Sequence, residues 1–148
     1  KSSWEYNVED YDRPLSVKGI KDINKVSLKN INTFKKFQIF LTSPANRALH
    51  TSTILTRNVF KNYQNLRVIH ELYSFNYKSI LDYVFKLDNQ FSNIVLIGHN
   101  PAFSIVAEHL SEKKPPELKT SDWIMLEFQQ NDWSKINLGS YTYESKKS

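Results

Sequence analysis

The chain has 148 residues, a length that fits one domain with a sizeable hydrophobic core. It has no cysteine, which excludes disulfides and thiolate metal sites and is compatible with the cytoplasm, and no apolar run approaches the ~20 residues of a membrane helix. The formal charge of +5 favours anionic substrates, phosphate included, but no basic stripe on one helical face and no nucleic-acid motif is evident, so neither nucleic acid nor membrane is an expected partner.

In chain order, Ser16 is placed to cap a helix that runs through Ile20, Ile23 and Ser27 towards Ile31. Gln38–Leu41 reads as a buried strand ending at Thr42-Ser43-Pro44. A helix from Ala45 to Tyr63 follows, with Ala48, Ser52, Leu55 and Val59 on one face. Leu66–His70 is a second strand. Ile80, Val84, Leu87 and Phe91 repeat at helical spacing. Asn93–Ile97 is a continuous apolar strand stopped by Gly98, and Phe103, Val106, Ala107 and Leu110 predict the next helix. Beyond Pro115-Pro116, Trp123–Phe128, the turn Gln130-Asn131-Asp132 and a final strand within Ile136–Tyr143 read as an antiparallel pair at the sheet edge. The alternation predicts one α/β domain over residues 1–148: a three-layer α/β/α sandwich whose mostly parallel central sheet is covered on both faces.

Three polar clusters lie at or near strand ends, where open parallel sheets bind ligands. Thr42-Ser43-Pro44-Ala45-Asn46-Arg47, with Thr51 further along the helix, is a strand, a proline turn and a helix whose first turn carries a guanidinium. Such a turn forms an anion site, or simply exposes a surface arginine. Gly98-His99-Asn100-Pro101 places an imidazole between a buried strand and a helix start; His99 is either a site residue or a structural histidine. Asp10-Tyr11-Asp12-Arg13-Pro14-Leu15-Ser16 reads by itself as a polar loop ahead of a capped helix. Glu71, closing the second strand, is either a general acid or a residue that orients an arginine.

Together these segments resemble the histidine phosphatase superfamily, and within it the SixA-type phosphohistidine phosphatases. Ser43, Pro44, Arg47 and Thr51 match the family's Ser-Pro-x-x-Arg-x-x-x-Thr element, and Gly98, His99, Asn100 and Pro101 match its Gly-His element. Lys1-Ser2-Ser3-Trp4, Asp12-Arg13-Pro14-Leu15 and Gly19 resemble the stretch that follows the Arg-His-Ala strand in SixA-type members. The resemblance therefore implies a first strand, with its Arg-His pair, immediately ahead of Lys1. It also implies a phosphoglycerate-mutase-like fold without a lid, since only Leu72–Asn76 separate Glu71 from the next predicted helix.

What the resemblance implies chemically is a metal-independent phosphatase working through a phosphohistidine enzyme intermediate. Its expected substrate is phosphohistidine on a signalling or phosphotransfer protein. Arg47, His99 and Glu71 would be catalytic, and Arg13, Arg47, Ser43 and Asn100 would bind phosphate or substrate. No cofactor is expected: His50, His70, His99 and His109 lack metal-ligand spacing, and three glycines are too few for a nucleotide cradle. A small-molecule phosphomonoesterase and a non-catalytic phosphate- or protein-binding module of the same fold remain open alternatives.

Overall fold

The sheet is built outward from β1, Ile39–Thr42, an uninterrupted apolar run buried along its whole length. The computed structural model describes residues 9–147. The matched opening Lys1–Trp4 lies outside them. Their contacts form two compact units, one of residues 9–73 and 93–98 and one of residues 74–92 and 99–147.

In the first unit, β1 pairs in parallel with β2, Leu66–Val68, on one side and with β3, Ile94–Ile97, on the other, giving the order β2-β1-β3. Phe40 is fully buried in β1, its ring edge-on to Phe60 at 5.5 Å and tilted against Phe34 at 6.4 Å. Expected cover on both faces is found only for β1. β3 is half-buried, and the edge strand β2 leaves Arg67 and Val68 exposed, because an outer strand has a neighbour on one side alone. β2 also stops short of His70, which starts a 3-10 turn over His70–Leu72.

Helix α1, Val17–Lys29, is capped as predicted: the Ser16 hydroxyl accepts from the Gly19 N–H at 3.1 Å. It does not continue to Ile31. At Asn30 the side-chain amide and the backbone N–H both donate to the Val26 carbonyl, and a separate short helix α2, Ile31–Phe34, follows. Helix α3, Asn46–Phe60, buries the predicted face of Ala48, Ser52, Leu55 and Val59. It packs on α1, where the Asn58 amide donates to Asn24 Oδ1 at 2.9 Å and Ser27 Oγ at 2.7 Å. It ends before Tyr63 because Lys61 takes a left-handed conformation with φ 64°.

The expectation of no basic stripe is corrected here. Lys18, Lys21, Lys25 and Lys29 of α1 recur at spacings of three, four and four, and all are exposed. At 3.6 residues per turn they fall within an arc of roughly 80°. Lys18 is paired with Asp22 at 3.5 Å.

In the second unit, helix α4, Tyr77–Phe85, starts at Asn76, whose side chain accepts from the Lys78 N–H at 2.9 Å. The predicted continuation to Phe91 is cut off by an aspartate turn, in which Asp88 Oδ1 accepts from the Gln90 N–H at 2.9 Å. Helix α5, Ala102–Leu110, buries Ala102, Val106, Ala107 and Leu110 and packs on α4. β4, Trp123–Glu127, and β5, Ser140–Glu144, pair antiparallel as a two-stranded sheet of their own. The architecture is α/β, with a parallel central sheet and antiparallel C-terminal strands. No helix among the described residues is long and apolar enough to cross a membrane.

Candidate functional site

In the first unit Asp10, Arg13 and Arg47 meet where β1 gives way to α3. Pro44 and Ala45 are buried in the turn, and Ala45, with extended backbone, precedes the first helical residue Asn46, so Arg47 stands in the first turn of α3. Both of these first-turn side chains reach the 3-10 turn Asp10–Asp12. The Asn46 amide donates to the Asp12 carbonyl at 2.8 Å, and Arg47 Nη1 donates to the Asp10 carbonyl at 2.6 Å.

Arg47 Nη2 also meets Asp10 Oδ2 at 3.1 Å, while Arg13 Nη2 meets the other carboxylate oxygen, Oδ1, at 3.0 Å. Arg13 is only 5% exposed. The Tyr73 hydroxyl donates to Asp10 Oδ2 at 2.8 Å, and the Tyr73 ring is held edge-on by Tyr11 at 5.1 Å. One carboxylate thus joins two guanidiniums and a phenol. Burial pushes the Asp10 carboxyl up, but the Tyr73 hydrogen bond and the charges of Arg47 and Arg13 outweigh it, so the group is held below its usual value of 3.8. The same hydrogen bond, with burial added, raises Tyr73 above its usual 10.0 and keeps it a proton donor.

Of the residues expected from sequence, Arg13 and Arg47 are brought together. Ser43 is fully buried; its N–H donates to the Ile97 carbonyl at 2.9 Å, continuing the β1–β3 pairing, and its hydroxyl accepts from the Ala45 N–H at 3.3 Å within the turn. Thr51 donates to the Arg47 carbonyl at 2.8 Å, one helical turn back. Glu71 is exposed in the 3-10 turn His70–Leu72, and only residues 73–76 separate that turn from α4.

The chain leaves β3 through Gly98 and enters the second unit at His99. The His99 side chain is buried, 6% exposed, and its ring lies 5.5 Å from that of Phe75, which is 47% exposed. Asn100 uses its whole amide locally: Nδ2 donates to the Leu118 carbonyl at 2.6 Å, and Oδ1 accepts from the Ser104 N–H and hydroxyl. These bonds fix the start of α5 against the 118 segment.

Asp10, which by sequence is one residue of a polar loop, and Tyr73, which no motif marks, both belong to this cluster. Asp10 stands three positions before Arg13, one helical turn, and that spacing is a signal for an ion pair. Tyr73 has no comparable signal, since its partner is 63 positions away. No group of three or more metal-ligating side chains that could hold a metal ion occurs among the described residues.

This arrangement is a phosphoglycerate-mutase-like fold, and comparison with solved structures shows the likeness over nearly the whole chain. The protein histidine phosphatase SixA, solved with tungstate, matches with a TM-score of 0.80 at 19% identity, covering 99% of this chain and 92% of that one. A candidate phosphohistidine phosphatase SixA from Nakamurella multipartitia gives 0.78 at 15% identity, covering 97% and 90%. A mycobacterial glucosyl-3-phosphoglycerate phosphatase gives 0.68 at 12% identity, covering 97% and 92%. No protein-family model and no curated protein sequence matches the chain.

Proposed function

We propose that this protein is a phosphatase that hydrolyses phosphohistidine on a signalling or phosphotransfer protein in the cytoplasm, through a phosphohistidine enzyme intermediate. The observation that carries the reading is the convergence of Arg13 and Arg47 on the two oxygens of one carboxylate. Two guanidiniums already arranged around a small oxyanion suit a transferring phosphoryl group, whose negative charge spreads over its equatorial oxygens.

In this reading a histidine of the enzyme attacks phosphorus in line as the bond to the substrate imidazole breaks. Water then takes the phosphoryl group from the enzyme and releases inorganic phosphate. Arg13 and Arg47 clamp the equatorial oxygens, and His99 donates a further hydrogen bond. Glu71 serves as acid or orienter; an imidazole leaving group needs little protonation because its P–N bond is labile. Ser43 and Asn100 join as phosphate- or substrate-binding residues at the ends of β1 and β3. The short 73–76 connection supports an open site that admits a side chain of another protein.

The test is phosphate release from a phosphohistidine-bearing phosphotransfer domain beside p-nitrophenyl phosphate, on protein carrying whatever residues its gene encodes ahead of Lys1. Fast release from the domain and little from the ester is expected. The reverse preference would make the protein a small-molecule phosphomonoesterase. Release from neither, with phosphate still bound, would make it a non-catalytic module.

A further inference from the structure

Asp10 places an anion where the reading above places a phosphoryl group. Its two oxygens receive Arg13 Nη2 at 3.0 Å, Arg47 Nη2 at 3.1 Å and the Tyr73 hydroxyl at 2.8 Å. Resting on that reading, we propose that Asp10 is a built-in competitor at the phosphate site, whose carboxylate and the substrate phosphoryl group take the same three donors in turn.

Three features favour exchange over a permanent tie. The Asp10 side chain is 41% exposed, so rotation about its Cα–Cβ bond delivers the carboxylate to water. That rotation leaves the backbone in place, because α3 holds the turn through carbonyls and not through the carboxylate: Arg47 Nη1 on Asp10 and the Asn46 amide on Asp12. Arg47 therefore stays aimed after the carboxylate leaves. Charge points the same way. Two guanidiniums and one carboxylate leave one positive charge over, whereas a phosphoryl dianion neutralises both guanidiniums and is the stronger acceptor.

The consequence is a lowered apparent affinity for any phosphate, the hydrolysed product included, since binding must displace an internal partner. A tie that merely aligned the arginines would have the opposite consequence, because its loss would loosen the site.

The sign of one measurement separates the two. Inorganic phosphate is titrated calorimetrically into the wild type, Asp10→Asn and Asp10→Ser, each also with Arg47→Ala, at fixed ionic strength. Removing the carboxylate charge is expected to tighten phosphate binding by about fivefold or more, with the gain abolished by Arg47→Ala. The serine variant gives the same comparison should the asparagine variant fold poorly, and its small side chain retains no amide to occupy the donors. Unchanged or weaker binding in the Asp10 variants, with Arg47-dependent binding intact in the wild type, would overturn the competitor role and leave the phosphate site standing. Absence of Arg47-dependent binding in every protein would overturn both.

Discussion

The Tyr73 hydroxyl donates to Asp10 Oδ2 at 2.8 Å, tying the residue that closes the 3-10 turn after β2 to the turn that precedes α1. The bond acts on both partners, helping Arg47 and Arg13 to hold the Asp10 carboxyl low and, with burial, raising the Tyr73 phenol. It links two loops that each carry candidate site residues, so its loss is expected to register in stability and in titration together.

Asp10 makes stability depend on pH with a definite sign. Its folded value lies below the 3.8 of an ordinary aspartate. The stabilisation is therefore complete above that ordinary value and is lost as pH falls through the folded one. Urea midpoints of Asp10→Asn should fall below wild type at pH 6, and the gap should close under acid conditions. A gap that stays constant with pH would show that the carboxylate charge contributes nothing.

Replacing Tyr73 with phenylalanine removes one donor from a half-buried carboxylate and leaves the ring contact with Tyr11. The expected cost is about 1 kcal/mol of stability. In the same variant the Asp10 carboxyl, followed by NMR, should titrate higher than in wild type.

Arg47 acts through a fork, with one nitrogen on the Asp10 carbonyl and the other on its carboxylate. On the phosphatase reading, Arg47→Ala should lower kcat by about 10²–10³, the usual effect of deleting one oxyanion donor, and His99→Ala should fall as far. Arg47→Lys keeps the charge and loses the fork, so its rate should sit nearer the alanine variant than the wild type. Normal turnover in Arg47→Ala would remove this residue from the mechanism.

Gly139 lies between two chain segments of the second unit, donating to the Leu110 carbonyl at 2.8 Å and accepting from the Glu112 N–H at 2.9 Å. A Cβ added there would stand 2.5 Å from the Glu127 carbonyl oxygen and 2.9 Å from the Phe128 ring. The backbone oxygen cannot move without disturbing the β4–β5 pairing, so Gly139→Ala should cost about 1–3 kcal/mol in urea denaturation.

Phe40 is fully buried at the centre of β1, between Phe34 and Phe60. Truncation to alanine leaves a cavity beside the middle strand, and a loss of about 3–5 kcal/mol is expected from thermal or urea unfolding. Phe60→Leu, which keeps most of the apolar volume, should cost far less.

Local patterns in the sequence were sufficient for the strand at β1, the Ser16 cap, the buried faces of α3 and α5 and the two strand-end motifs containing Arg47 and His99. Those features depend on residues within one or two turns of each other, so periodicity and capping chemistry report them directly. Where local side chains competed with the pattern, the pattern overreached: Asn30 divided α1 from α2, and Asp88 stopped α4 before Phe91. The lysine row of α1 was written in the sequence too, but only an exposed helix face made it a surface. The pairing of Asp10 with Arg13 is local, three positions apart, but tertiary structure alone decided that Asp10 would also face Arg47 and Tyr73. Those contacts span 37 and 63 positions, and bonds between distant residues exist only once the sheet has brought their loops together.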